Sequence, residues 1–211
     1  MTRQGNYIFT LSDKVTRTPV KYKNRFGIVI AADLYMPKNF DESRQYPGLI
    51  VGSPYGGVKE QGAGIYAQNM AERGFIALAF DPSYNGYSGG EPRHLSSPDL
   101  FVEDFSAAVD YLGTRPFVNR ERIGVIGMFG SGGFSLSAPQ VDRRLKAVAT
   151  ISMYEMSRAI SKGWMDSYTE AARNKILDQI AAQRYMEFED NEPAMEPRGA
   201  ALGCNDGRHT I

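Results

Sequence analysis

The chain contains several short runs made largely of apolar residues. These runs cover 48–52, 75–80, 123–127 and 146–152, and a β-rich stretch at 28–35 precedes them. An unbroken apolar run of this length predicts a strand buried on both faces. Segments with helical spacing, 62–73 and 99–113, lie between the runs. The alternation predicts an α/β fold with a doubly wound, mostly parallel sheet.

Composition excludes several classes of protein. Lys plus Arg and Asp plus Glu are equal at 24 each. The chain therefore lacks the excess of basic residues that is typical of nucleic-acid-binding proteins. Cys204 is the only cysteine, and the two histidines lie far apart in the sequence. The sequence therefore contains neither a cysteine cluster nor residues at the spacing of metal ligands, and it predicts no metal site. No apolar run approaches the ~18 residues of a membrane span, and the first residues resemble no secretory signal. We therefore expect a cytoplasmic protein without membrane partner, metal or cofactor.

The run 123–127 leads into a glycine-rich turn, Gly127-Met128-Phe129-Gly130-Ser131. In α/β hydrolases such a strand-to-helix turn carries the nucleophile between small residues at positions −2 and +2. The tight turn projects the side chain from the sheet edge and directs the next N–H at the oxyanion. Counted from the strand end, Phe129 occupies the nucleophile position. Phenylalanine has no nucleophilic atom.

A second register places Ser131 at the nucleophile position, followed by Gly132 and Gly133. This register puts bulky Phe129 where a small residue belongs and moves the turn into the helix. We prefer the first register, in which Ser131 is a small packing residue and Ser131 as nucleophile is the alternative. The following helix is expected to start near Gly132 and to stop before Pro139.

Residues that could assist catalysis are few. The turn 53–57 follows an earlier apolar run, and Tyr55, Gly56 and Gly130 are the candidate backbone donors of an oxyanion hole. Glu155 is the candidate acid, although the sequence favours a solvated residue at a helix start, where its charge suits the helix dipole. His209 is the candidate base, and we interpret His94 as a surface loop residue. Nucleophilic catalysis of this type needs such a base and a carboxylate that orients it.

Four segments together resemble a known family. They are Tyr55–Gln61, Gly86–Arg93, Arg122–Gly133 and Asp142–Ser152. The chain resembles the dienelactone-hydrolase-like bacterial α/β hydrolases, to which fungal polyketide transferases are related. The resemblance covers roughly 20–198. It implies an ester or acyl hydrolase, or an acyl transferase, that acts on a small-molecule substrate.

The resemblance also implies a domain organisation. Residues 20–153 correspond to the N-terminal part of the hydrolase domain, and the helical but polar stretch 154–188 lies in an incomplete cap, 154–198. Residues 199–211 match nothing in the family and are expected to be a disordered tail. Related chains carry cysteine or serine at the position of Phe129, and the acid and histidine lie on later strands. The sequence therefore predicts a truncated or frameshifted product.

Three functions remain open from the sequence. The first is a hydrolase descendant that is catalytically incomplete. The second is an active serine hydrolase that uses Ser131 with Glu155 or His209. The third is a non-catalytic binding protein or a subunit that a partner completes. In the family's strand order the run 146–152 would be interior, so its exposed edge predicts poor solubility or self-association.

Overall fold

The computed structural model describes residues 6–195. The strands are β1 Val15–Lys23, β2 Val29–Pro37, β3 Tyr46–Gly52, β4 Ile76–Phe80, β5 Val118–Met128 and β6 Leu145–Ile151. The helices are α1 Gly62–Ala71, α2 Pro98–Gly113, α3 Gly130–Val141, α4 Met156–Lys162 and α5 Glu170–Asp190, with a short 3-10 helix at Trp164–Asp166. None of these helices is both long and apolar enough to cross a membrane.

The six strands form one mixed sheet in the order β1-β2-β4-β3-β5-β6. The three pairs β3–β4, β3–β5 and β5–β6 are parallel, whereas β2 pairs antiparallel with both β1 and β4. Every residue of β4 is buried, as are the last five residues of β3. The predicted α/β class and the mostly parallel sheet are confirmed.

Helices cover both faces of the sheet. On one face, the apolar side of α1 (Ala63, Ala67 and Ala71) packs against β2, β3 and β4. On the other face, α2 contributes Phe105, Val109 and Leu112 to a second core cluster, and α3 packs on β5 and β6. This arrangement is the doubly wound architecture that the alternating elements predict.

Four details differ from the sequence expectations. β6 was expected to be buried on both faces, but only Leu145 in it is buried. α3 starts at Gly130, two residues earlier than expected, and continues through Pro139 to Val141. Pro139 lies in the last turn, which the Asp142 N–H closes by donating to the Ala138 carbonyl at 2.8 Å. The helical stretch 154–188 is broken between α4 and α5, where Gly163 has φ 73°. β1 was not predicted, because its alternating exposed residues lack an apolar run.

The chain divides into two compact units, Met1–Tyr154 and Glu155–Ile211. The second unit contains α4 and α5, and none of the described residues in these two helices is buried. Glu155 and Thr169 cap the two helices by accepting from Arg158 N–H and Ala172 N–H. The interpretation of 154–198 as an incomplete cap stays a prediction, and the predicted tail 199–211 lies outside the described residues.

A buried carboxylate on α2 fixes the loop that follows β4. Asp104 Oδ2 accepts from the Ser83 N–H at 2.7 Å, and its Oδ1 accepts from the Ser83 hydroxyl at 2.7 Å. Oδ1 also accepts from the Asn24 side-chain amide at 3.0 Å. Burial raises the pKa of Asp104 to about 6, although these hydrogen bonds work in the opposite direction. The helix, the loop after β4 and the end of β1 are therefore joined at one point.

The raised pKa of Asp104 predicts a specific pH dependence of stability. The folded protein binds this proton more tightly than the unfolded chain, so the contribution of Asp104 to stability falls as pH rises from about 4 to about 6. Asp104→Asn removes that contribution. Urea unfolding should show the stability difference between wild type and Asp104→Asn shrinking by about 2 kcal/mol from pH 4.5 to pH 7.

The exposed Asp99 in the first turn of the same helix provides the matched control. Between these pH values, the free energy of unfolding of Asp99→Asn should change with pH as that of the wild type does. A stability difference between wild type and Asp104→Asn that stays constant from pH 4.5 to 7 would contradict the assignment.

Candidate functional site

The segments that follow β3 and β5 leave the sheet side by side. These strands are parallel neighbours, and their last glycines, Gly52 and Gly127, face each other in the register. The carboxyl edge of a parallel sheet is where α/β proteins commonly place their ligand sites. The turn 53–57 and the turn after Met128 therefore meet at this edge.

Phe129 forms a sharp turn between β5 and α3. Its backbone has φ 51° and ψ −121°, a conformation that costs an L residue about 1–3 kcal/mol. Its N–H donates to the Ile151 carbonyl at 2.9 Å, so the turn is also fixed to the end of β6. The side chain of Phe129 is 46% exposed. The strained turn thus presents an aromatic ring at the sheet edge.

Small residues permit the close contact between α3 and the strand ends. A Cβ at Gly127 would overlap the Ser135 hydroxyl and would lie 2.5 Å from the Ser131 carbonyl oxygen. A Cβ at Gly52 would lie 2.5 Å from the Phe105 ring and 3.0 Å from Ser131 Oγ. Only glycine fits at either strand end without displacing its neighbours. The start of α3 therefore lies directly against the ends of β3 and β5.

Ser131 lies behind the turn, in the first turn of α3. Its side chain is buried, and Oγ lies 3.1 Å from both the N–H and the carbonyl of Met128. The hydroxyl accepts from that N–H and donates to that carbonyl. Both hydrogen-bonding roles of Ser131 Oγ are thus directed at the backbone of its own turn.

The proposed oxyanion donors lie at the same edge. Gly56 adopts φ 73°, and the Gly57 N–H donates to the Pro54 carbonyl at 2.7 Å, which closes the turn containing Tyr55. Gly130 is the first residue of α3, so its N–H has no partner within the helix. The structure brings Tyr55, Gly56 and Gly130 to the edge where Phe129 stands. Their role as oxyanion donors stays a prediction.

Aromatic side chains surround this edge. The Tyr55 and Phe101 rings lie edge to face at 6.4 Å, and Phe101 lies 5.3 Å from Phe134. Burial, together with the neighbouring Tyr55, raises the pKa of the Tyr154 hydroxyl. Met153, which is 42% exposed, packs beside Gly132 at the start of α3. The edge is thus largely apolar, with two tyrosine hydroxyls.

A buried ion pair, which the sequence did not predict, anchors the loop after β3. The Lys59 N–H donates to Asp81 Oδ1 at 2.8 Å, and Lys59 Nζ lies 3.3 Å from Asp81 Oδ2 and pairs with Glu60. The Tyr87 N–H donates to Asp81 Oδ2 at 2.9 Å. Because Asp81 directly follows a buried strand, the sequence could have identified it as a candidate residue at the sheet edge. Nothing in the sequence identifies Lys59 as its partner.

The roles of the candidate acid and bases stay predictions. Glu155 belongs to the second unit, is exposed, and accepts from Arg158 N–H at 2.9 Å and from the Ser157 hydroxyl, which lowers the pKa of Glu155. His94 is exposed in the loop between β4 and α2. His209 lies outside the described residues.

Comparison with known proteins now assigns the family. A family model described as X-Pro dipeptidyl-peptidase (S15 family) matches residues 27–195. The chain belongs to this family. The α/β-hydrolase ancestry predicted from the four sequence segments is confirmed.

An uncharacterized Pseudomonas aeruginosa protein, PA2218, is 53% identical over 197 residues. The match covers 93% of this chain and 53% of the relative's length. The crystal structure of PA2218 superposes with a TM-score of 0.90 and 52% identity, and covers 93% of this chain and 61% of that one. This chain therefore spans little more than half of that relative.

GrgF connects the chain to α/β hydrolases, and one further solved structure shares the fold. The polyketide transferase grgF of Penicillium sp. is 28% identical over 136 residues, which are 64% of this chain and 45% of that protein. The crystal structure of the alpha/beta hydrolase GrgF superposes with a TM-score of 0.72 at 25% identity, covering 86% and 58% of the two chains. A dienelactone hydrolase-like phosphotriesterase, P91 from metagenomic libraries, shares the fold at a TM-score of 0.55 and 20% identity, over 66% and 60%.

The close contact at Gly127 predicts a large effect of a single methyl group. Gly127→Ala should destabilise the protein by about 1–3 kcal/mol, because Cβ meets Ser135 and the Ser131 carbonyl. The matched control is Gly133→Ala in α3, where no atom lies within 4 Å of the new Cβ. Alanine there should be neutral or should stabilise by up to about 1 kcal/mol. Urea unfolding of both variants measures the difference, and equal effects would refute the contact.

Proposed function

We propose that this chain is a hydrolase descendant of ester- or acyl-hydrolase ancestry that does not catalyse hydrolysis with its described residues. The observation that carries the proposal is the position of Phe129. It stands at the positive-φ turn between β5 and α3, with Gly127 and Ser131 as its small neighbours. This is the position in which the fold holds its nucleophile. A phenyl ring there offers no atom for attack on a carbonyl.

The described histidine supports the same proposal. His94 is the single histidine among residues 6–195, and it lies on an exposed loop. A serine or cysteine nucleophile of this fold depends on an imidazole that accepts its proton and on a carboxylate that orients the imidazole. Glu155, the predicted acid, instead caps its own helix. Loss of triad members leaves only the effects of binding and of the oxyanion hole.

The surroundings of Ser131 argue against its use as a nucleophile. Its hydroxyl is committed to the Met128 backbone, and its side chain is only 5% exposed. Attack on an ester requires that Oγ reach the substrate carbonyl and hold a hydrogen bond to a base. We therefore assign Ser131 to the packing of α3 against the strand ends.

The substrate class of the ancestor follows from the edge and from the relatives. Phe129, Met153 and Tyr55 give the edge an apolar surface that fits an acyl or aromatic group better than a charged one. The relative grgF is a polyketide transferase, which agrees with acyl chemistry. An ester or acyl compound is the ligand class that this edge fits best.

A fluorophosphonate probe tests the assignment of Ser131. Such probes phosphonylate serine hydroxyls that a base activates, so the wild-type chain should remain unlabelled after prolonged incubation. Ser131→Ala should behave identically. In-gel fluorescence measures the labelling, with an active serine hydrolase as the positive control. Labelling of the wild type that disappears in Ser131→Ala would overturn the proposal and establish an active serine hydrolase.

A further inference from the structure

Residues 6–12, here named the latch, belong to no helix or strand and pack on the face of the sheet that α1 covers. Alternate side chains of the latch, Tyr7, Phe9 and Leu11, are partly buried. Phe9 and Leu11 pack against the core cluster on this face. The Phe9 ring lies so close to α1 that a Cβ at Gly64 would be 2.7 Å from it. The latch is therefore packed against the first turn of α1.

Two hydrogen bonds from its backbone attach the latch to neighbouring segments. The Ile8 N–H donates to the Glu60 carbonyl at 3.2 Å. The Ser12 N–H donates to the side-chain oxygen of Gln68 on α1 at 2.9 Å. Glu60 lies in the loop 53–61, which carries the candidate oxyanion turn, so the latch is attached directly to that loop.

The latch covers a fully buried carboxyl group. Asp33 of β2 has no exposed surface, and its Oδ2 accepts from the Tyr7 hydroxyl at 2.7 Å. Its Oδ1 has no hydrogen-bond partner among the described residues. In the sheet, Asp33 is paired with Pro19 of β1 and Ala79 of β4, whose side chains cannot donate. The hydroxyl of Tyr7 is thus the hydrogen-bond donor that the described chain supplies to this carboxyl group.

Neighbouring charges do not neutralise Asp33. Lys59 is the only buried lysine or arginine in the part of the chain that the structure describes. Its ammonium group pairs with the carboxylates of Glu60 and Asp81, which are also buried. Three buried carboxyl groups therefore share one buried ammonium group.

The other polar groups near Asp33 lie on β1 and β2. Arg17 is only half-buried, and its guanidinium lies over the Tyr7 ring at 3.4 Å from the centroid. Tyr35 follows Asp33 on the same face of β2, and burial raises the pKa of its hydroxyl, which is therefore neutral. Burial also raises the pKa of Asp33, although the hydrogen bond from Tyr7 and the charges of Lys59 and Arg17 lower it.

We propose that the latch is a pH-sensitive strap that closes over Asp33 and thereby holds the loop 53–61 at the candidate site. Ionisation of Asp33 is unfavourable while Tyr7 covers the carboxyl group, and it becomes favourable when the latch opens and water reaches the carboxylate. Opening also breaks the hydrogen bond to the Glu60 carbonyl and so releases the loop. The latch acts on the position of this loop and does not depend on whether the chain catalyses hydrolysis.

Amide hydrogen exchange of the 211-residue chain tests the attachment, with Tyr7→Phe as the variant that keeps the ring and loses the hydroxyl. Loss of this hydrogen bond should speed exchange of the Ile8 and Ser12 amides roughly fivefold or more. The Lys59 amide should speed up by a similar factor, because the loop opens with the latch. Tyr66→Phe makes the same change on the exposed side of α1, and this control should leave all three amides unchanged.

The pH dependence of the same exchange tests the role of Asp33. Its raised pKa means that the closed latch binds the proton more tightly than the open latch, so the latch is most stable at low pH. After correction for the intrinsic exchange rate, protection of the latch should fall as pH rises from 3.8, the ordinary pKa of the group, through the raised value. Asp33→Asn cannot ionise, so its protection should vary less between about pH 4.5 and about pH 8.

Any of three results overturns the latch. Faster exchange of 6–12 in Tyr7→Phe without faster exchange of the Lys59 amide would show that the segment frays without controlling the loop. Equal acceleration of the Leu78 amide, in the core of β4, would show unfolding of the whole unit in place of local opening. The same pH dependence in wild type and in Asp33→Asn would show that Asp33 does not control the opening.

Discussion

The close contact between α3 and the ends of β3 and β5 is the constraint on which the candidate site depends. It exists because Gly52 and Gly127 have no side chains, so Phe105, Ser131 and Ser135 can lie against the backbone. With α3 held this close, the chain has a single residue in which to turn from strand to helix. Residue 129 therefore adopts a positive φ and projects from the sheet edge, whatever its side chain is.

This constraint separates the scaffold from its chemistry. A nucleophile at residue 129 would benefit from the strained turn, because the turn exposes its side chain and places the Gly130 N–H beside it. Phenylalanine bears the same strain of about 1–3 kcal/mol without that benefit. The second set of anchors, Lys59 with Asp81 and Asp104 with Ser83, holds the loops after β3 and β4 in place. The scaffold of the site is thus retained independently of the residue at its centre.

The sequence predicted those elements whose signal is local. The last five residues of β3, all of β4 and the last six residues of β5 are buried, and these segments form apolar runs that can be recognised in the sequence without knowledge of tertiary contacts. The turn at Phe129 was predictable because glycine and serine stand at fixed distances from the strand end. Its conformation and the burial of Ser131 agree with the preferred register, although the catalytic roles stay predictions.

The remaining features depend on contacts between distant residues. α3 starts earlier than expected because packing against the strand ends makes Gly130 and Ser131 helical despite their turn-like composition. β1 was missed because an edge strand alternates exposed and partly buried residues and gains its stability from pairing with β2. The hub of Asp104, Ser83 and Asn24 joins three separate segments, and no spacing in the sequence reveals it.

The central proposal is that the described part of the chain holds residue 129 at the nucleophile position of the fold but supplies no base. Steady-state hydrolysis of p-nitrophenyl acetate by Phe129→Cys, in a background that also carries Cys204→Ser and His209→Ala, tests it most directly. The account predicts at most one equivalent of released nitrophenol and no turnover above that of the background protein alone. Sustained turnover whose rate depends on an ionisation near pH ~6.5, the ordinary pKa of histidine, would contradict the account.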